Sequence, residues 1–483
     1  MQVVRLAHIT VLLVLVASAS AWAQTQKTKE TKETKETKPS CPSPHPNFPQ
    51  MTYDEDNRYL RNPECRTEVL DRLKYIPLRT GHKDYYLSFG ASVRERGEYF
   101  SNPNWGSGPP GSTYLLQRYY VHADLHLGDR FRFFSELGSS LEHGRTGGPR
   151  SSDEDKVDVH QAFIDIGLWR SGKNHLSLRT GRQEIVLGDQ SFLEGTITNI
   201  RKSFDGFRLT GKFGEWTADA FAVRQSKNNP GFFDDALDHT TTFWGLYAVR
   251  PLPILAGGHV DLYYFGLRNK KAVYDKGTGR EQRETVGARL WGSGEHWDYN
   301  QEYTFQFGRF KSDGIRAWEA STETGYRFDS MQFKPRLGLN AAAYSGNHDR
   351  SGGKLGTFNG LYEKSTYFTY AALFGRRNLM DLQPSLELNL PGKITVSPNT
   401  AFFWRQSTED GLYNAGSGPL LITGRKSNAR YIGSQVAVQL KWSLDRHTTV
   451  IGEYLHFFPG DFLRQSTPGR NINYATWWVE YRF

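Results

Sequence analysis

From Tyr85 to the end of the chain, polar and apolar side chains alternate along successive segments of about ten to sixteen residues. Successive side chains of a β-strand point to opposite faces, so this period of two predicts strands with one apolar and one polar face. Gln435, Gln439 and Lys441 share the polar face of the clearest segment. Its apolar face carries Val436, Val438, Leu440, Trp442 and Leu444. A soluble sandwich and a membrane barrel share this pattern, so the connections must distinguish them.

The connections between these segments are alternately short and long. Short turns are expected near residues 128–129, 171–173, 213–215, 292–295, 328–330, 391–393 and 444–446. Long polar loops are expected near residues 101–113, 144–156, 188–202, 227–238, 346–378, 409–427 and 460–471. Short periplasmic turns that alternate with longer extracellular loops are typical of outer-membrane β-barrels. The connections therefore favour a barrel over a sandwich.

The number of strands follows from how often the chain must cross the membrane. Pattern matching yields about 19 candidate strands, but a barrel with both chain ends on the periplasmic side needs an even number. The turn at Pro391 to Lys393 leaves room for one descending strand, Met380 to Leu390, so Tyr367 to Gly375 is assigned to an extracellular loop. The predicted fold is all-β, an 18-stranded antiparallel transmembrane β-barrel of the outer-membrane type over residues 85–483.

The N-terminus predicts export. Arg5 precedes a short apolar run from Ile9 to Ala17, and Ala21-Trp22-Ala23 forms a small-x-small cleavage site. This arrangement indicates a secretory signal peptide over residues 1–23. An uncleaved anchor is the alternative, but the run is shorter than the roughly 18 to 20 apolar residues that span a bilayer.

Residues 24–84 separate the signal from the barrel. Residues 24–40 repeat Thr-Lys-Glu and carry no large apolar side chain, which indicates a disordered linker. Residues 41–84 mix prolines with a few large apolar residues, enough for a small periplasmic N-terminal segment or plug. Cys41 and Cys65 are candidates for a disulfide because exported proteins meet oxidising conditions.

The last strand carries a separate signal for membrane insertion. Its apolar face holds Ala475, Trp477, Val479, Tyr481 and the terminal Phe483, and the other face holds Trp478, Glu480 and Arg482. A terminal aromatic residue on such a strand resembles the signal read by the bacterial barrel-insertion machinery. The expected location is the bacterial outer membrane, with membrane lipid and lipopolysaccharide as surroundings.

A barrel of this size encloses an aqueous channel, so its polar face would meet the solute. The chain carries 60 Lys and Arg against 51 Asp and Glu, a net charge of +9. Extrapolated alternation places these arginines in the lumen: Arg94, Arg96, Arg118, Arg132, Arg179, Arg208, Arg289, Arg327, Arg336 and Arg405. Arginine suits carboxylate ligands because its guanidinium makes bidentate bonds. The alternative is that these charges pair across strands and hold the wall together.

Other chemistry finds little support in the sequence. There is no HExxH, GxSxG or phosphate-loop motif, so no enzymatic activity, catalytic metal or nucleic-acid partner is expected. A hydrolase built near His143 and His160 stays an alternative. A structural calcium ion at an extracellular loop is also an alternative to a solvated acidic loop. Its candidate ligands are Asp153, Glu154, Asp155 and Asp158, although the 12-residue calcium-loop pattern is missing.

Several local motifs resemble the alginate export family of outer-membrane porins. They are Tyr53 to Asp56, Leu73 to Leu78, Tyr114 to Leu127, Gly181 to Glu184, Arg201 to Leu209, Phe403 to Arg405, Asp410 to Tyr413 and Gly460 to Phe462. The resemblance covers most of residues 50–483. It implies an 18-stranded barrel whose arginine-rich constriction passes an anionic polyuronate. Arg182, Arg201, Arg208 and Arg405 lie in or beside the matching motifs and are therefore expected to contribute to that constriction.

These observations predict a passive pore for an anionic polysaccharide, such as an alginate-like polyuronate, through an arginine-rich lumen. A general or uptake porin for small anions, sugars or hydrophobic compounds is the first alternative, and an outer-membrane hydrolase is the second. A monomer is expected because the outward faces show no polar seam.

Overall fold

The computed structural model describes residues 41–42, 45–78, 81–82, 84–193 and 198–483. The predicted signal peptide at 1–23 and linker at 24–40 lie outside these residues. Eighteen long strands, numbered in chain order, form the barrel. They are β1 (Tyr85–Phe100), β2 (Ser112–Leu127), β3 (Phe131–His143), β4 (Asp155–Ser171), β5 (Asn174–Gln183), β6 (Phe204–Phe213), β7 (Trp216–Lys227), β8 (Thr241–Pro251), β9 (His259–Tyr274), β10 (Gly277–Ser293), β11 (Trp297–Phe310), β12 (Asp313–Arg327), β13 (Arg336–Tyr344), β14 (Leu379–Leu390), β15 (Ile394–Arg405), β16 (Tyr431–Ser443), β17 (Thr448–Pro459) and β18 (Ile472–Arg482).

Every barrel strand pairs antiparallel with its neighbour in the chain, and β18 pairs with β1 to close the sheet. Phe483 extends this seam, since its backbone N–H and carbonyl both bond Ala91 at 3.0 Å. Closure pairs the backbone N–H and C=O groups of the edge strands, which an open sheet would expose to lipid. The predicted 18-stranded antiparallel barrel is therefore confirmed, and Tyr367 to Gly375 lies in the loop between β13 and β14.

The two ends of the barrel differ in their connections. Eight turns of two to eight residues join the strands at the end where β1 begins and β18 stops. Long loops join them at the other end, except that residues 275–276 and 311–312 are two-residue turns. The first turn joins β9 to β10 and the second joins β11 to β12. These four strands have 14 to 17 residues, so residues that would form loops elsewhere in the barrel are part of the strands here. The sequence pattern did not predict these two tight connections.

The outer surface of the barrel is apolar and the inner surface is polar. Val436, Leu440 and Trp442 of β16 are 38 to 46% exposed, while Gln435 on the alternate face is 1% exposed. The same arrangement of exposed apolar and buried polar side chains holds in β11, where Phe305 is 47% exposed and Gln306 is fully buried. An apolar belt facing outward is the arrangement that lipid requires. No helix among the described residues is long and apolar enough to cross a membrane.

Residues 45–78 pack into the lumen at the short-turn end. Met51 and Tyr53 form a cluster with Phe134 and Phe163, which point inward from β3 and β4. Thr52 donates a hydrogen bond of 2.9 Å to Glu136. The segment is built of short pieces: the 3-10 helices Thr52–Asp54, Arg58–Arg61 and Pro63–Cys65, the α-helix Asp71–Lys74, and the strand Ile76–Pro77, which pairs with β1. Both cysteines are disulfide-bonded.

Two loops from the opposite end also fold inward. The loop between β5 and β6 meets the loop between β13 and β14, where Tyr362 donates its backbone N–H to the Phe192 carbonyl at 3.1 Å. Both loops pack on lumenal aromatic side chains of β6 to β9. Other loop elements are short: the strands Ala236–Leu237, Lys354–Leu355, Leu412–Tyr413 and Leu420–Ile422, the 3-10 helices Pro103–Gly106 and Gly424–Lys426, and the α-helix Asp461–Ser466.

Candidate anion site in the barrel lumen

A pocket inside the barrel gathers residues from the wall, an inward loop and the N-terminal segment. Strands β1, β2 and β18 supply its wall, the loop between β5 and β6 supplies an arginine, and the N-terminal segment supplies an amide. The pocket is lined by Gln50, Ser92, Arg94, Arg118, Arg201, Trp478, Glu480 and Arg482. We call this set the arginine pocket.

Strand register brings the wall residues of the arginine pocket together. Arg94 of β1 lies directly opposite Arg118 of β2 and, on its other side, opposite Glu480 of β18. Like charges directly opposite each other destabilise a sheet. Arg118 Nη2 lies 3.2 Å from Glu480 Oε1, so the two arginines share one wall carboxylate.

The inward loop fixes the orientation of both arginines. The Thr198 carbonyl accepts hydrogen bonds of 3.2 Å from Arg94 and from Arg118. Asn199 Oδ1 accepts a further bond of 3.2 Å from Arg94. The Asn199 amide in turn donates to three backbone carbonyls of the barrel and its loops, those of Gln117, Leu141 and Asp153, at 2.7 to 3.2 Å. The loop is thereby tied to the wall beside the pocket.

Arg201 enters the pocket from the same loop. Its Nη2 donates to Glu184 Oε2 at 2.7 Å, and its guanidinium lies 5.2 Å from the centre of the Tyr120 ring. Burial alone would raise the pKa of Glu184, but Arg201 and His160 outweigh burial and hold that pKa below its ordinary value. Arg201 Nε makes no hydrogen bond within the described part of the chain.

The charge of the lining is strongly positive. Four arginines, Arg94, Arg118, Arg201 and Arg482, face a single lining carboxylate, Glu480. Glu184 adds a second carboxylate behind Arg201, so the described residues at this site carry four arginines and two carboxylates. Charges held inside low-dielectric walls attract counter-ions more strongly than exposed charges do. The arginine pocket can therefore hold an anion, and a planar guanidinium fits a carboxylate best.

Most of the other predicted lumenal arginines are instead paired with carboxylates. Arg179 makes a bidentate contact with Asp165 at 2.7 and 2.9 Å. Arg208 lies 2.7 Å from Asp219. The remaining pairs are Arg96 with Glu98, Arg182 with Asp205, Arg289 with Asp261 and Arg336 with Asp298. For these residues the structure shows the wall-stabilising arrangement that was the alternative.

Arg405 lies outside the lumenal pocket. Its side chain is fully buried at the loop end of β15 and donates to the carbonyls of Thr408, Asp410, Ser427 and Ala429. Its guanidinium lies 4.0 Å from the centre of the Phe462 ring. Arg405 thus holds the loops after β15 and β17 in place and offers no free donor face to a solute.

Five residues of the arginine pocket were not among the predicted site residues: Gln50, Ser92, Trp478, Glu480 and Arg482. Glu480 and Arg482 lie on the polar face that the alternation of the last strand defines, so extending the lumenal assignment to β18 would have found them. Gln50 comes from a segment without periodicity, and no local pattern indicates that it reaches the lumen.

The apolar exterior and the basic lumen define the class of protein: an outer-membrane channel of the porin type. Solved structures agree on the fold. OccD3 (OpdP) of Pseudomonas aeruginosa is 12% identical, with 85% of this chain and 93% of that chain covered at a TM-score of 0.55. OccK2 (OpdF) of the same organism, solved in complex with glucuronate, is 11% identical, with 85% and 98% covered at a TM-score of 0.54.

The family profile described as alginate export matches residues 85–477, and the chain therefore belongs to the alginate export family. The predicted family is confirmed. A search of curated proteins finds no match. Both the family and the fold are those of channel porins, which are not enzymes, and an outer-membrane location follows from them.

Proposed function

We propose that this protein is a passive outer-membrane channel for carboxylate-bearing saccharides, with an alginate-like polyuronate as its solute. The observation that carries the proposal is the arginine pocket, where four arginines face one carboxylate inside the lumen. Each uronate unit of such a polymer presents one carboxylate to a guanidinium. A row of such transient contacts would favour entry of a polyanion without any covalent chemistry. We propose no catalytic role and no cofactor for transport.

Two further findings support an acidic saccharide as the solute. The chain belongs to the alginate export family. The barrel of OccK2, which shares the fold, is solved with glucuronate, a sugar with one carboxylate. A uronate combines hydroxyl groups with a carboxylate, and the pocket combines the Gln50 amide, the Ser92 hydroxyl and the Trp478 ring with its arginines.

A second candidate is a channel for small acids such as monomeric uronates. The observation that favours it is the filling of the lumen: the N-terminal segment enters from one end and two loops enter from the other. In this conformation the arginine pocket, as lined by the described residues, has a volume of about 130 Å³, which is closer to one sugar acid than to a polymer. Passage of a polymer would require the inward segments to move, whereas a monomer needs a smaller rearrangement.

Single-channel recording on the full chain in a planar bilayer tests both candidates. The reversal potential in a salt gradient gives the ratio of anion to cation permeability. Oligomannuronates of increasing length, glucuronate and uncharged glucose are then added at equal concentration. Block that strengthens with oligomer length supports the polyuronate channel. Equal block by glucuronate and by the oligomers supports the small-acid channel. Cation preference, or block by glucose as strong as block by the acids, would rule out both.

A further inference from the structure

Three acidic residues converge at the loop end of β4, away from the arginine pocket. Asp155 begins β4, Asp158 lies three residues further along the strand across a register irregularity, and Asp235 comes from the loop between β7 and β8. One carboxylate oxygen from each lies within 4.8 Å of the other two. Asp155 is 7% exposed and Asp158 is 5% exposed, so two of the three carboxylates are buried.

Backbone contacts hold the three carboxylates together. The loop runs beside β4, where the Val157 carbonyl accepts the Phe233 N–H at 2.9 Å. Asp158 Oδ2 accepts the backbone N–H of Asp235 at 3.0 Å. Asp235 Oδ1 accepts the backbone N–H of Asn229 at 2.9 Å. The like charges are thus brought together by the fold, although they repel one another.

The negative charge of the cluster is only partly balanced. Arg182 is the cation nearest to it, 3.7 Å from Asp158 and 3.9 Å from Asp235. Arg182 is closer to Asp205, at 3.1 Å, and also donates to the Val159 carbonyl. Burial raises the pKa of Asp235, and repulsion from Asp158 adds to this against the opposing hydrogen bond from Asn229. Arg182 is therefore shared among the carboxylates of Asp158, Asp205 and Asp235.

Asp155 supplies an independent sign of a ligand. Its Oδ1 is buried and accepts no hydrogen bond from the residues that the structure describes. A buried carboxylate oxygen without a partner is costly, and such groups usually bind a cation or a hydrogen-bond donor. The other buried acidic cluster, Glu136 with His160 and Glu184, differs because its carboxylates are occupied by Thr52, Gln161 and Arg201.

We infer that Asp155, Asp158 and Asp235 form a calcium site that joins the loop between β7 and β8 to the end of β4. Calcium prefers carboxylate and carbonyl oxygens and tolerates irregular geometry, whereas magnesium demands a near-ideal octahedron. Two neighbouring acidic residues, Asp153 and Glu154, are excluded as calcium ligands by their contacts or their position. Asp153, one of the acids expected from sequence, pairs with Arg150 at 2.8 Å, and Glu154 is outside the cluster. The decisive third carboxylate comes from a different loop.

Titration calorimetry of the full chain with calcium chloride tests the site. The protein is folded in detergent free of lipopolysaccharide and is first treated with a chelator, because lipopolysaccharide itself holds divalent ions. One calcium ion per chain should bind with a Kd of about 10⁻⁴ to 10⁻³ M, the range of extracellular calcium modules. Asp155→Asn and Asp235→Asn should each weaken binding at least tenfold. Glu154→Gln is the matched control and should bind calcium as the wild type does.

A second readout follows the loop itself. Calcium should slow proteolysis in residues 228–240 of the wild type and of Glu154→Gln, and should have no effect in Asp235→Asn. Asp235 lies in a loop, so this variant keeps the test usable if Asp155→Asn fails to fold. Absence of calcium binding by the wild type would overturn the inference. Undiminished binding by Asp235→Asn, equal weakening by Glu154→Gln, or tighter binding of magnesium than of calcium would do so as well.

Discussion

Two groups of lumenal arginines differ in what lies across from them. Arg179 and Arg208 each contact a carboxylate at 2.7 Å. Arg94 and Arg118, in the arginine pocket, lie opposite each other and share Glu480. All four occupy the polar face of their strands, and all are long, charged and mostly enclosed. The comparison teaches that the way in which arginines are arranged against described carboxylates, and not their number alone, distinguishes a candidate anion site from a paired wall.

The largest expected effect comes from taking the carboxylate away from a paired arginine. In Asp219→Asn the mostly buried guanidinium of Arg208 loses its counter-ion. Breaking such a pair should destabilise the barrel by about 3 kcal/mol. Urea unfolding in lipid vesicles measures this loss. The matched exchange in the pocket, Glu480→Gln, should cost less than about 1 kcal/mol because Glu480 is 26% exposed and its contact is longer. Equal losses would remove the distinction between the two groups.

The next effect concerns binding of the solute. Replacing Arg94 and Arg118 together by Gln reduces the arginines of the pocket from four to two. The affinity for oligomannuronate, measured by block of the channel current, should fall about 30-fold, or about 2 kcal/mol. The charge-neutral control is Arg208→Gln with Asp219→Asn, which removes one complete pair. That control should leave block within about twofold of the wild type, and a loss as large as in the pocket variant would contradict the comparison.

A smaller change in the opposite direction is expected when the pocket loses its carboxylate. Glu480→Gln leaves four arginines without a lining acid, so block by glucuronate should tighten by about threefold, or less than about 1 kcal/mol. The ratio of anion to cation permeability, from reversal potentials, should rise in parallel. The corresponding exchange of a carboxylate for an amide at a paired position outside the pocket, Asp298→Asn, should leave block by glucuronate unchanged.

The smallest effect is a pH dependence of the inward loop. The pKa of Glu184 is held below its ordinary value by Arg201, so the ion pair stabilises the loop fully above the ordinary pKa of about 4.3. This contribution is lost as the pH falls through the lowered pKa. The protection factors for hydrogen exchange in residues 198–203, which correct for the intrinsic pH dependence of exchange, should therefore be the same at pH 7 and pH 5, and lower at pH 3.5. Glu184→Gln should show low protection factors at all three pH values, and a change of the wild-type protection factors between pH 7 and pH 5 would contradict the assignment.

Much of the barrel could be read from the alternation of side chains. Val436, Val438, Leu440 and Trp442 face outward and Gln435 faces inward, as the period of two requires. The number of strands followed from the alternation together with the lengths of the connections. The tight connections at 275–276 and 311–312 were missed because the strands that they join extend beyond the ends expected from the pattern. Local sequence does not reveal this extension of the strands.

The candidate site was only partly predictable. Arg94 and Arg118 were placed in the lumen by alternation. The same pattern puts Glu480 and Arg482 on the polar face of β18, although they were not among the predicted site residues. Whether an arginine has a counter-ion depends on the register between strands and on loops that fold inward. Arg201 and Gln50 enter the pocket from segments without periodicity, and Asp235 joins Asp158 across 77 positions of the chain.

The sequence by itself determined the class of fold and the face of each strand, because alternation is a local property and lipid outside a barrel demands an apolar belt. It also determined that the lumen is rich in arginine. Only the tertiary structure decided which arginines pair with a carboxylate of a neighbouring strand and which gather in one pocket, because these partners come from a neighbouring strand or a distant loop. Coulomb interactions between enclosed charges depend on separations of a few ångströms, and those separations exist only in the closed barrel.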